Sequence, residues 1–316
     1  MVGQVSFCRC NEPGSNQCND RQMTELFYSR EISPWLGFVI GACLGSFLNV
    51  VAHRVPRELS VISPGSSCPN CSASIPWMLN IPVLGWLVLK GRARCCDSRI
   101  SPRYFIIELL VGLVFSGIFF SFTNHQDWGM LLASSAFAWL LIGVVVIDFE
   151  TMLIPDRFSI GGACAGFVLS LYFPSIHGVH FHPYGLESLQ SGYSSLLGIL
   201  IGSGCLYWIG ALAGRAFGRE ALGEGDVKLL GCIGAFCGCK GAIFSIFGGA
   251  LTGCLFLIPV YLWQKLRPSV SKDNNALAFG QEIPFGPYLA LAALGYFFFF
   301  KDLINPWFKW MNELVP

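Results

Sequence analysis

Apolar residues along this chain come in long runs rather than in alternation, and eight of the runs read as membrane helices. They cover residues 34–52, 104–122, 129–147, 158–174, 191–214, 226–239, 241–264 and 284–300. A helix that crosses a bilayer takes about 20 mostly apolar residues. The weakest two, 158–174 and 226–239, are short and rich in glycine. The run 76–89 (PWMLNIPVLGWLVL) is shorter still and holds two prolines, so it is expected to be interfacial or re-entrant. The polar stretches divide the chain into a tail (1–33), a first transmembrane helix (34–52), a loop domain (53–103), a seven-helix membrane domain (104–300) and a C-terminal tail (301–316). The tail has no basic region followed by an apolar one, so no cleavable signal peptide is expected. The expected fold is all-α: a polytopic membrane helix bundle of about eight transmembrane helices, with the loop domain between the first and second.

Composition agrees with a bilayer as the solvent. The 316 residues are 53% hydrophobic and 12% charged, with a mean hydropathy of +0.57; a soluble domain carries about 25% charge. A net charge of +1 gives no reason to expect nucleic acid as a partner. Its distribution says more. The loops 53–103, 148–157, 215–228 and 265–283 hold 14 of the 20 Lys and Arg residues, while the opposite loops 123–128 and 175–190 hold none. Basic loops stay cytoplasmic, so the loop domain is expected inside and both termini outside. Small-residue spacings such as Gly37/Gly41/Gly45 permit close helix packing in lipid.

Two acidic residues stand out. Asp148 ends the uncharged run AFAWLLIGVVVID, and Asp226 sits in GEGDVKLLG at the start of the sixth segment. The loop charges put both at the cytoplasmic ends of their helices, where they can face each other. Two carboxyls held close do not both ionise cheaply, so one keeps a proton. Such a pair supplies the base that activates water and the acid that protonates a peptide carbonyl. Gly223 and Gly225 leave the backbone beside Asp226 bare, which suits the approach of an extended substrate. Plainer roles compete: an Asp at a helix end also serves as a cap, and Asp226 has Lys228 close by as an ion-pair partner. Asp156 is a candidate N-cap of the fourth segment, and Glu108 a buried hydrogen-bonding group.

Of the fourteen cysteines, most lie in apolar stretches and read as small buried side chains. Cys68 and Cys71 form a C-x-x-C in a polar stretch, with Cys95 and Cys96 downstream. Four thiolates would suit tetrahedral zinc. The second pair is not C-x-x-C, however, because residues 93–96 read Ala-Arg-Cys-Cys, and adjacent cysteines are expected to strain the backbone if both bind one ion. Three cysteines with another ligand, or no metal, are the alternatives. His177, His180 and His182 share an outer loop and read as solvated, and His53 as interfacial.

Several of these stretches occur together, and in one order, in a known family. GSFLNVVAHRVP (45–56), CPNC (68–71), NIPVLGWLVLKGR (80–92), RISPRYFIIELL (99–110), VIDFETMLIPD (146–156), GEGDVK (223–228) and PFGPYLALAAL (284–294) resemble the type 4 prepilin peptidases, membrane aspartic proteases of the GxGD type. The resemblance implies an aspartic endopeptidase of the bacterial inner membrane, with its active site facing the cytoplasm and Asp148 and Asp226 as the catalytic carboxyls. The substrates implied are prepilin and pseudopilin precursors, cleaved after a short basic leader. It also implies N-methylation of the new N-terminus with S-adenosylmethionine as donor. No residue of this sequence is assigned to the methyl donor. The chain departs from the family pattern at Ala93, which stands where the first cysteine of a second pair is usual, and in its longer N-terminal tail. A cation transporter is the competing reading of paired membrane carboxylates, but such proteins often show internal repeats, and none is visible here. A scaffold that has lost activity is a third reading, and the intact aspartates argue against it.

Overall fold

The computed structural model describes residues 31–63, 65–68, 70–125, 127–179, 185–218, 222–266 and 284–301. Most of the N-terminal tail with its three cysteines, His180, His182 and the end of the chain lie outside the described residues. The helices are α1 (Ser33–Arg54), α2 (Leu84–Val88), α3 (Pro102–His125), α4 (Trp128–Thr151), α5 (Asp156–Tyr172), α6 (Leu186–Phe217), α7 (Glu224–Leu266) and α8 (Gly286–Gly295), the last continued by a π-helical turn, Tyr296–Phe300. Among the described residues there are no strands, only two isolated β-bridges. Helix lies over each of the eight apolar runs, and two runs, 226–239 and 241–264, fall within α7. Among the described residues, five helices (α1, α3, α4, α6 and α7) are long and apolar enough to cross a membrane. The protein is thus an all-helical, multi-pass membrane bundle.

The bundle begins with a tight pair. Along α1, Gly37, Gly41 and Gly45 face α3 so closely that a Cβ on each would come within 2.7, 2.7 and 2.9 Å of Phe115 O, Val111 O and Glu108 Cα. Close approach of backbones is what associates helices in lipid, where no hydrophobic force draws them together. Polar bonds fix the register: Ser33 Oγ donates to Phe119 O at 3.2 Å near one end, and Asn49 Nδ2 to Tyr104 O at 3.3 Å near the other.

Helix α7 is 43 residues long, yet it does not run straight. Gly238 sits at φ 67°, ψ −176°, outside the helical region. Leu230 and Ala242, which a straight helix would hold roughly 18 Å apart, both approach Gly202 of α6: a Cβ there would lie 2.9 Å from Leu230 O and 3.0 Å from Ala242 Cβ. The chain therefore folds back at Gly238 into a short leg (224–237) and a long one (239–266). The break leaves carbonyls of the short leg without helical donors. Ser195 Oγ donates to Ala235 O at 3.0 Å, and the His177 ring lies against the break, its Nδ1 3.5 Å from where a Cβ on Gly238 would stand. His177, in the 3₁₀ turn Pro174–His177, is thus not the solvated residue expected from its loop. Burial, with Lys301 nearby, pulls its pKa down to about 4, so it is neutral.

The core lies between α4, the short leg of α7, and α8. Phe137, Leu141, Leu229, Leu230, Ile233, Phe236, Leu289 and Ala293 are all buried there. The Phe137 ring stacks on Phe236 at 4.8 Å and meets Phe297 at 5.1 Å. Outward faces of α6 and of the long leg carry Leu196, Leu200, Leu212, Phe247, Leu251 and Leu255 in the open, as a lipid-facing surface requires.

Candidate active site

Helical periodicity carries the core faces of three helices to one end of the bundle. Residues three or four apart share a helix face. On α4, Leu141 and Val144 are buried, and the next position on that face is Asp148. On α7, buried Leu229 is one turn beyond Asp226, and on α8, buried Leu289 is one turn beyond Gly286. The same stripes that build the core thus deliver Asp148, Asp226 and Gly286 to its end.

Asp148 is only 4% exposed, and its Oδ2 has no hydrogen-bond partner. An unpartnered buried oxygen is costly in a structural carboxylate, which argues against a capping role. Asp226 is half-buried and lies within electrostatic reach of Asp148. The two predicted carboxyls are therefore brought together. Asp226 does not pair with Lys228: that lysine bonds Asp156 and Glu224, both at 2.9 Å. Nor is Asp156 the N-cap of α5; Pro155 holds that position, and Asp156 is the first helical residue.

Backbone closes in on the pair from two sides. A Cβ on Gly286 would lie 2.5 Å from Asp148 Oδ2 and 3.1 Å from Ile154 Cδ1, so only glycine fits. Its amide lies beside the Asp148 carboxylate, at the N-terminal and therefore electropositive end of α8. Ile154 also covers Gly225, where a Cβ would come within 3.1 Å of it. The bare backbone expected at both glycines of GEGD is therefore found only at exposed Gly223, where a Cβ would meet nothing nearer than Asp226 Oδ2 at 3.5 Å. Gly286 and Ile154 went unassigned in the sequence; PFGPY and LIPD were visible as motifs, but nothing in them says which residue touches a carboxyl. Beyond Asp148, Glu150 pairs with Arg103 at the start of α3. Glu108 is buried in α3, where its Oε2 accepts from Val83 N at 2.7 Å, and His53 bonds Arg57.

The cysteines form a second cluster, built on two turns of the same kind set 25 positions apart. Cys68 N donates to Ala73 O, Ser72 N to Cys68 O and Ile75 N to Ser66 O; likewise Ala93 N donates to Ser98 O, Asp97 N to Ala93 O and Ile100 N to Gly91 O. Ser72 and Asp97 both take a left-handed conformation (φ 58° and 54°), and bridges 67–74 and 92–99 close the two turns. Cys71 and Cys96 are thus equivalent, Ala93 matches Cys68, and Cys95 matches Asn70. All four sulfurs still converge within 4.8 Å of one another. The Sγ separations are 3.7 Å (Cys68–Cys96), 3.3 Å (Cys71–Cys95) and 3.9 Å (Cys95–Cys96). A zinc tetrahedron with bonds of about 2.3 Å has edges of about 3.8 Å, so the residues fit a four-thiolate ion. The strain expected of adjacent cysteines is absent, since neither takes a positive φ. Hydrogen bonds from the Ser98 hydroxyl and backbone, then from Asn70, bring the Cys96 thiol down to about 6. Contact with the Cys71 and Cys68 sulfurs pushes Cys95 up to about 12.

Residues 39–122 match the bacterial peptidase A24 N-terminal domain, and residues 135–258 match the type IV leader peptidase family. The first stretch includes the cysteines and Glu108, the second both aspartates. Curated relatives carry the name prepilin leader peptidase/N-methyltransferase. That of Aeromonas salmonicida (strain A449) is 31% identical over 290 residues, 82% of this chain and 89% of the relative. That of Klebsiella pneumoniae is 37% identical over 212 residues, 64% and 83%. That of Myxococcus xanthus (strain DK1622) is 34% identical over 226 residues, 70% of this chain and 62% of the relative. No solved structure matches the chain.

Proposed function

The chain belongs to the type IV leader peptidase family, and from that premise we propose that it removes the leader from prepilins and pilin-like precursors through Asp148 and Asp226. The observation that carries this reading is the pair itself: two carboxyls at one end of the core, one of them with a buried oxygen that bonds nothing. One proton shared between them leaves one carboxyl as base and the other as acid. Asp148, facing the amide end of α8, is the base that takes a proton from water; Asp226 carries the proton that reaches the scissile carbonyl. The pair titrates as a unit, so activity follows the singly protonated dyad. The substrate passes over the open backbone of Gly223, while Ile154 closes the other side.

The membrane is the bacterial inner membrane, crossed eight times. The Lys and Arg bias of the loops supports a cytoplasmic position for the aspartates and the cysteine domain (53–103). The new N-terminus is then methylated, as the name of the relatives says of them, with S-adenosylmethionine as donor. Cys68, Cys71, Cys95 and Cys96 would hold a zinc ion, whose chemistry here is structural: a closed four-thiolate site has no open position for a substrate. A prepilin presented in membranes tests the first claim. Loss of cleavage in Asp148→Asn and in Asp226→Asn, with both proteins still inserted, supports the dyad; cleavage at the wild-type rate in either variant removes it.

A further inference from the structure

Residues 76–92 leave a row of apolar side chains uncovered. Met78, Ile81, Leu84, Leu87 and Val88 are 42–72% exposed. In a loop surrounded by water that would be a large patch for so short a segment. The segment is nevertheless firmly placed. Val83 N donates to Glu108 Oε2 at 2.7 Å, and Val83 is held at φ 64°, a conformation that a β-branched residue rarely takes. Trp86 stacks on Phe105 of α3 at 5.0 Å and donates from Nε1 to Ile100 O.

The depth of that anchor says what covers the row. Arg103 and Glu150 pair across α3 and α4 and mark the charged level of the bundle. Glu108 lies five residues further along α3, roughly 7.5 Å deeper. On the outer side of α3 at that depth, Ile106 and Leu110 are themselves exposed, as residues of a spanning helix that face lipid. Just after the apolar row come exposed Lys90, Arg92, Arg94 and Arg99, with Asp97 the one acidic residue among them. Basic side chains following an apolar insertion suit the anionic headgroup layer.

We infer that residues 76–92 form a wedge seated in the lipid leaflet on the aspartate side of the bundle, hung on Glu108, with acyl chains covering Met78, Ile81, Leu84, Leu87 and Val88. This surface is independent of what the aspartates cleave. Glu108 is a positioning residue: it sets the height of the wedge by holding the Val83 amide below the charged level.

The test places the photo-crosslinking residue p-benzoylphenylalanine at Leu87, at Val88 or, as an exposed control outside the wedge, at Ile62, which is 89% exposed. The full chain is reconstituted in vesicles of phosphatidylethanolamine and phosphatidylglycerol and irradiated, and intact masses are read. Adducts of one phospholipid at Leu87 and Val88, with none at Ile62, are expected. Carrying Glu108→Gln, which still accepts from the Val83 amide, the Leu87 probe keeps its adduct; with Glu108→Leu the yield falls severalfold. Absence of lipid adducts at both wedge positions in the otherwise unaltered chain overturns the proposal. So does their replacement by peptide adducts when prepilin is present, which would make the row a substrate-docking face.

Discussion

The carboxyl pair and the thiol cluster are both sets of like groups drawn together, but they are held in different ways. Asp148 and Asp226 stand on helices whose next turns are locked in the core by Leu141, Val144, Leu229 and Leu230. Little can move one aspartate without disturbing that packing. The four sulfurs stand on two loop turns, and there the position of a donor has shifted: Cys95 brings a thiol where Ala93 offers none, and the sulfurs still converge. A site at the end of packed helices fixes which residue must act, whereas a site made by turns fixes only where an atom must arrive.

Breaking the helix-borne site should have the largest effect. Asp148→Asn or Asp226→Asn is expected to lower prepilin cleavage by about 10²–10⁴-fold, the usual contribution of positioned acid–base groups, measured in membranes with insertion checked. Gly286→Ala comes next: its methyl would crowd Asp148 Oδ2, and displacement on the order of 1 Å costs about 10²-fold. A near-normal rate in that variant would show that the helix-borne site is as forgiving as the loop-borne one. The thiol side is sharpened by a swap. Cys95→Ser should reduce bound zinc from about one ion per chain, and adding Ala93→Cys should bring it back, with cleavage little changed throughout; metal analysis of purified protein decides. If the added cysteine fails to restore zinc, the equivalence of the two turns does not extend to their sulfurs.

The smallest effect belongs to the far end of the packed core. His177 is held neutral, its pKa near 4 against 6.5 when unfolded. The unfolded chain therefore binds the extra proton first, so stability falls as pH drops from about 6.5 toward about 4 and levels off below. His177→Gln should flatten that slope, read as thermal midpoints in detergent.

The helices and the two aspartates were legible in the sequence because both depend on one-dimensional pattern: uncharged runs, and isolated charges at their ends. The reversal at Gly238 was visible only as a boundary between two runs, since nothing local states that a helix doubles back. Gly286 and Ile154 were hidden because their importance lies in which atoms they meet across the bundle. The four-thiol geometry was obscured by the missing C-x-x-C, and it became readable only once backbone bonds aligned the two turns. His177 looked solvated because its burial comes from α7 and Lys301, both distant in sequence.

The close pairing of α1 and α3 bears on how such a chain can evolve. Asn49 and the Tyr104 carbonyl bond each other near the ends of the two helices, so the chain leaves this helix pair and rejoins it at almost one place. Closing a loop costs little more as it lengthens, and the aspartates lie on helices that follow. Residues 55–101 are in that sense a cassette. A change in its length leaves the α1–α3 foundation closed, and with it the support for the helices that carry the aspartates.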